Sequence, residues 1–166
     1  MLPESFGGRI IYLLQQYGPS FAKGAGVSMW LALVGTLFGC IIGFLVGIVQ
    51  TIPVDKNDST AKKVLIKIVK FILACYVEFF RGTPMMVQLL IMWFIVWASA
   101  RSTDSNMLRC AILAFGINSG AYVAEIFRSG IMSIDKGQME AGRSVGLTYA
   151  ATMRYIIIPQ AFKNVL

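Results

Sequence analysis

Between Lys23 and Asp55 the chain carries no charged side chain. Residues Val27 to Val49 alone form a run of 23, and a helix of that length rises about 34 Å. That is enough to cross the hydrocarbon core of a bilayer with some tilt. Inside the run Gly35, Gly39, Gly43 and Gly47 recur every fourth residue. Small residues at that spacing lie on one helix face and let another backbone approach closely, so this face is expected to serve helix packing.

The rest of the sequence agrees with a lipid bilayer as solvent. Of 166 residues, 57% are hydrophobic and 14% charged, too few charges to clothe a soluble domain of this size. In a soluble protein the net charge of +7 would suggest nucleic acid. Here the cations sit between apolar runs, as in cytoplasmic loops, so no nucleic-acid partner is expected. There is no histidine, and Cys40, Cys75 and Cys110 lie apart in apolar surroundings. Neither a disulfide framework nor a metal site nor any cofactor is expected. Glu4 and the shortness of the opening apolar runs argue against a cleaved signal peptide.

The layout follows from length and charge. Residues 1–19, with the amphipathic stretch RIIYLLQQY, read as a helix on the membrane surface, with a disordered tail as the plainer alternative. The first span is placed at 24–50. A basic segment, 51–83, carries Lys56, Lys62, Lys63, Lys67 and Lys70 and is expected to stay on the cytoplasmic side as an interfacial helix. Thr83 is expected to cap a second span that starts on Pro84, because proline lacks the N–H that would be orphaned there. The second and third spans are placed at 84–100 and 108–127, and a second basic stretch follows from Arg128. Two crossings between the basic clusters put both in the cytoplasm and the N-terminus outside.

Gly137 to Ser144, GQMEAGRS, approaches the phosphate-binding G-x-x-x-x-G-K-[ST]. It fails on Arg143 for lysine, on the negative charge of Glu140, and on the lack of a preceding strand. Any ATP must therefore be bound by another subunit. The next stretch, EAGRSVGLTYAATMRYIIIP (140–159), reads as two short helices joined at Gly146, a residue suited to a left-handed stop, with Pro159 ending the second.

That stretch also resembles the EAA loop of ABC importer permeases: E-A-A, three residues, G, nine residues, I-x-L-P. Glu140, Ala141, Gly146, Ile156 and Pro159 stand at the matching positions. Gly142 replaces the second alanine and Ile158 the leucine. YVEFFRGTPMMVQLLIMWF (76–94) and INSGAYVAEIFRSGIMSIDKGQMEAGRS (117–144) look like the branch that serves glutamine, glutamate, histidine, arginine and cystine. The resemblance implies an all-α membrane protein, a helical ABC importer transmembrane domain with three of the usual five spans, and hence a C-terminally truncated chain. It implies a permease subunit in a bacterial cytoplasmic membrane that is not itself an enzyme. The implied partners are an ABC ATPase subunit, a second permease (identical or homologous) and an extracytoplasmic amino-acid-binding protein. Glu140, Ala141, Gly142, Gly146, Ile156 and Pro159 would then couple to the ATPase, since a rigid helix–turn–helix can transmit a push.

Gln88, Asn118, Ser119 and Glu125 are polar groups in or near apolar spans, expected to face the bundle interior or a water-filled path. They are candidates for the translocation path; interhelical hydrogen bonds, or a salt bridge from Glu125 to Arg128, are the plainer alternative. Glu78 and Arg81 read either as an interfacial ion pair or as groups fixing the entrance to the second span. The rival function is a secondary transporter, which would carry paired broken helices or an inverted repeat that these spans do not show. An intramembrane protease dependent on histidine is excluded by composition.

Overall fold

The computed structural model describes residues 5–54, 59–99 and 103–165. Its elements are α1 (Phe6–Thr51), α2 (Thr60–Gly82), α3 (Met85–Ile91), α4 (Asp104–Met132), α5 (Lys136–Ser144), α6 (Tyr149–Thr152) and α7 (Ile158–Val165). Wider π turns continue α3 over Met92–Val96 and join α6 to α7 over Met153–Ile157. Among the described residues there is no strand. Two helices, α1 and α4, are long and apolar enough to cross a membrane.

These two form the spine. Gly35 lies against Phe115, Gly39 against Ser119 and Gly120, Gly43 against Val123 and Ala124, and Gly47 against Phe127 and Ala124. The partner number rises with the glycine number, so α1 and α4 run parallel. Gly116 and Gly120 of α4 receive Phe38 and Ile42 of α1 in return. Interdigitation of this kind is how helices associate where lipid removes the hydrophobic drive between them.

Parallel helices require a return. Thr51 and Ile131 line one cavity at one end, while Lys23, Val27 and Leu108 line another at the opposite end. The chain between Thr51 and α4 must therefore travel back about 36 Å, the rise of 24 helical residues. It does so through α2 and α3 together. Residues 73–80 of α2 lie against the spine: Val77 is buried with Val46 and Ala124, beside Leu73, Tyr76 and Ile42. The basic segment 51–83 thus packs its later turns on α1 and α4, and the apolar helix that follows Pro84 runs over 85–96. Position 100, the expected end of that span, lies outside the described residues, as do 55–58 within the basic segment and 1–4 of the expected surface helix.

Three local expectations are corrected. No break separates residues 6–19 from those that follow, because α1 runs unbroken from Phe6 with Pro19 inside it and Ser5 as its cap, accepting from the Gly8 N–H at 3.1 Å. Pro19 costs one ladder bond but not the helix, and at 46 residues α1 is about 69 Å long, twice a bilayer core. Thr83 does not cap α3. Its hydroxyl donates back to the Phe79 carbonyl at 2.8 Å, and Pro84 takes the cap position ahead of Met85. Pro159 does not end a helix either. The Ile158 N–H reaches the Met153 carbonyl across a π turn, and the widened turn relieves the clash a proline ring makes with the carbonyl four residues back. α7 then continues to Val165.

Candidate functional site: a helical hairpin at the end of the paired helices

The hairpin is built by local chemistry. Asp135 caps α5 by accepting from the Gly137 N–H at 2.7 Å. At the other end the Leu147 N–H reaches the Gly142 carbonyl at 3.2 Å and the Gly146 N–H reaches Arg143 at 3.1 Å, a Schellman closure that requires a left-handed residue. Gly146 supplies it at φ +89°, among the described residues the only positive φ. Thr148 then caps α6, accepting from the Ala151 N–H at 3.2 Å.

The two arms meet at Gly142, which is buried. A Cβ there would lie 2.5 Å from the Thr152 methyl and 3.0 Å from its hydroxyl. Thr152 is fully buried, and its hydroxyl donates to the Thr148 carbonyl at 3.0 Å. Glycine at 142, in place of the usual alanine, is therefore matched to a threonine across the arm, a pairing that sequence reading treated as a mild departure.

The hairpin is anchored to both spine helices. Ile131 of α4 is buried with Met153, Ile157 and Ala161, and Ile48 of α1 packs on the same cluster. Phe162 stacks near Phe127 of α4 and Phe44 of α1, with ring centroids 5.0 and 5.9 Å away. Asn164 donates to Ser133 at 3.1 Å, and the Tyr149 hydroxyl donates to the last carbonyl of α1, Thr51, at 3.4 Å. Burial pushes the Tyr149 hydroxyl above its ordinary pKa, so it stays protonated and a donor. Facing outward are Glu140, Ala141, Val145, Gly146, Tyr155 and Pro159, with Val145 79% exposed; Ile156 is half-buried between the arms. The hairpin is thus packed against both spine helices and leaves a mixed polar–apolar face exposed.

The polar residues of the spans fall in three places. Gln88, 4% exposed, donates to the Phe80 and Thr83 carbonyls at 2.9 and 3.0 Å and to the Thr83 hydroxyl at 2.8 Å. Asn118 donates to Gln88 Oε1 at 2.9 Å and to the Phe80 carbonyl at 3.2 Å. Together they brace the α2–α3 elbow onto α4 and satisfy carbonyls orphaned at the break. Ser119 sits on the other side of α4, against Gly39, and lines a cavity of 280 Å³ with Ser28 and Thr36. Glu125 is held by Arg128 at 2.6 Å and by Arg81 at 3.7 Å, so Arg81 pairs across to α4 rather than with Glu78. Sequence reading missed three contributors: Tyr76, whose hydroxyl donates to the Ile117 carbonyl at 2.6 Å, Thr152, and Tyr149.

The sequence profile of the family described as binding-protein-dependent transport system inner membrane component matches residues 61–166. The chain belongs to that family. The match takes in α2 through α7 and so includes the elbow and the whole hairpin. Among individual proteins, the glutamine transport system permease protein of Escherichia coli K12 is 32% identical over 148 residues, covering 89% of this chain and 62% of its own. The arginine transport system permease protein of Bacillus subtilis is 32% identical, covering 89% and 61%. The L-cystine transport system permease protein of the same species is 31% identical, covering 90% and 58%. The chain thus spans about 60% of the length of these curated relatives. A crystal structure of an amino acid ABC transporter with histidines superposes with a TM-score of 0.72 at 36% identity, over 92% of this chain and 64% of that one. The all-α fold described above is therefore that of a permease transmembrane domain.

Proposed function

We propose that this chain is the membrane-spanning permease subunit of an ATP-driven importer of polar amino acids, and that the hairpin 134–159 is the element through which a separate ATPase drives it. One observation carries the reading: the hairpin shares a hydrophobic core with the ends of both parallel helices, α1 and α4. A push on it must move the spine as a unit. The relatives' names supply the cargo class. Glu140, Ala141, Gly142, Gly146, Ile156 and Pro159 form the coupling surface and its internal joint. The partners are an ABC ATPase, a second permease and an extracytoplasmic amino-acid-binding protein, in a bacterial inner membrane.

Topology follows from charge. Arg128, Lys136, Arg143, Arg154 and Lys163 cluster at the hairpin end, which the positive-inside rule assigns to the cytoplasm. The start of α1 is then outside, α2 with α3 makes the outward crossing, and α4 the inward one. Gln88 and Asn118 are occupied with the elbow, which favours a bracing role for them over direct contact with cargo.

The test is reconstitution of the full-length permease with its ATPase and binding protein in proteoliposomes. ATP-dependent uptake of radiolabelled glutamine, arginine or cystine supports the reading. Uptake that proceeds on an ion gradient without ATP refutes it and brings forward the secondary transporter.

A further inference from the structure

α2 starts at the hairpin end of the spine and runs against α4. Lys70 lines one cavity with Gln50 of α1 and Arg128 of α4, whereas Tyr76, further along α2, reaches the Ile117 carbonyl. The helix has three faces. Leu73, Tyr76 and Val77 pack on α1 and α4. A second face is an apolar row of Val64, Ile68, Ile72 and Phe79, with Phe71 at its edge, each between 49% and 70% exposed. Cys75, also exposed, lies inside that row. Steps of three and four residues keep the row on one side of the helix. Between the packed face and the row runs a cationic edge. Lys63 and Lys67 stand one turn apart on it, and Phe71 follows by another turn. Lys67 is exposed and makes no ion pair or hydrogen bond among the described residues. Within α2 no acidic residue occurs before Glu78, although Asp55 and Asp58 precede the helix in the sequence.

We infer that this face of α2 holds an anionic phospholipid of the cytoplasmic leaflet, its phosphate at Lys63 and Lys67 and an acyl chain along Ile68, Ile72, Cys75 and Phe79. The inference goes beyond the transport function and rests on the topology proposed above, in which the hairpin end is cytoplasmic. The order along the helix is that of the lipid itself: positive charge first, then bare apolar surface. From Lys67 to Phe79 the helix rises about 18 Å, close to the ~15 Å hydrocarbon depth of one leaflet. Charge complementarity selects the headgroup. A zwitterionic lipid would cover the apolar row but gain little from the lysines, and a soluble anion would meet the lysines but leave the row uncovered. Each lysine near an anionic leaflet raises affinity roughly fivefold, and its compact, mobile ammonium suits a phosphate that is not held in one fixed orientation.

The experiment uses the full-length permease with its ATPase, carrying Cys40→Ala and Cys110→Ala and a bimane label on the native Cys75, in phosphatidylcholine bilayers. Brominated phosphatidylglycerol or brominated phosphatidylcholine is added at equal mole fraction, and bromine quenches the label on contact. Phosphatidylglycerol should quench more strongly. Lys63→Gln and Lys67→Gln should each cut that preference roughly fivefold, and the double variant should abolish it. Lys163→Gln, exposed at the same end but on α7, should leave it unchanged. Equal quenching by the two lipids, or a preference that survives in the double variant, overturns the inference. A label quenched by neither lipid shows that the rest of the permease or another subunit covers this face, and overturns it too. Should the double variant fail to assemble, salt gives a second reading. At about 1 M ionic strength, where the Debye length is about 3 Å, the preference should vanish, and its persistence refutes the headgroup contact. ATP-driven amino-acid uptake by the same complex separates the two readings. Uptake without lipid preference removes the lipid surface alone, and preference without uptake removes the permease reading alone.

Discussion

Substituting alanine at each glycine of the α1 stripe should yield a graded series set by what the new methyl meets. At Gly43 a Cβ would lie 2.5 Å from Val123 Cβ and 2.7 Å from the Ala124 backbone nitrogen. Ordinary carbon contacts begin near 3.5 Å, and backbone cannot rotate away, so the helices must separate locally by close to 1 Å. A gap of that size forfeits a quarter to a half of each dispersion contact along the seam. Water cannot drive the seam back together, since lipid is as apolar as the side chains it replaces. Overpacking of this kind costs about 1–3 kcal/mol, and Gly43 should lie at the upper end. Gly39 follows closely, with Ser119 Cβ at 2.6 Å and the Gly120 nitrogen at 2.9 Å. Gly35 meets Phe115 Cβ at 3.0 Å, with backbone no nearer than 3.9 Å, and should be the mildest. Thermal unfolding of the purified complex in nanodiscs reads the order directly, as midpoints falling from Gly35→Ala to Gly43→Ala. Equal midpoints across the series, or Gly35→Ala as the worst variant, would refute the parallel seam.

Inside the hairpin, Gly142→Ala should cost about 1–3 kcal/mol by overpacking and Thr152→Ser about 1 kcal/mol by loss of one buried methyl. The double variant should be less damaged than the sum, because the serine keeps the hydroxyl bonded to Thr148 and clears the methyl; strict additivity in a double-mutant cycle would contradict the contact. At the elbow, Asn118→Leu should lower stability by about 1–3 kcal/mol, as Gln88 Oε1 loses its donor and the Phe80 carbonyl keeps only the one from Gln88. A midpoint at the wild-type value would show that the brace bears no strain.

The sequence was legible where one residue type has one physical use. A four-residue glycine spacing in an apolar run defines a packing face on a right-handed helix. The chain break at Thr83–Pro84 and the left-handed turn at Gly146 follow from what proline and glycine do to the backbone. The partner of the glycine face was not legible, since Ser119, Val123 and Ala124 carry no mark of close approach. Local rules also misplaced ends. The segment limit at residue 19 and the helix stop at Pro159 both fail, since α1 runs through Pro19 and a π turn accommodates Pro159, because neighbouring turns can adjust to a missing donor. Long-range contacts were hidden for the same reason. The matching of Gly142 to Thr152, of Arg81 to Glu125 and of Tyr149 to Thr51 depends on how helices cross, which spacing along one chain does not encode.

The measurement closest to the central claim is a crosslink from the tip of the hairpin. Val145, 79% exposed and at the C-cap of α5, would be changed to cysteine in the full-length permease lacking Cys40, Cys75 and Cys110, in native membranes. Disulfide formation with a cysteine on the ATPase surface, changing in yield when ATP is added, is the predicted result. A correctly inserted, transport-active permease that gives no such crosslink, with or without ATP, would contradict the assignment of the hairpin as the coupling element.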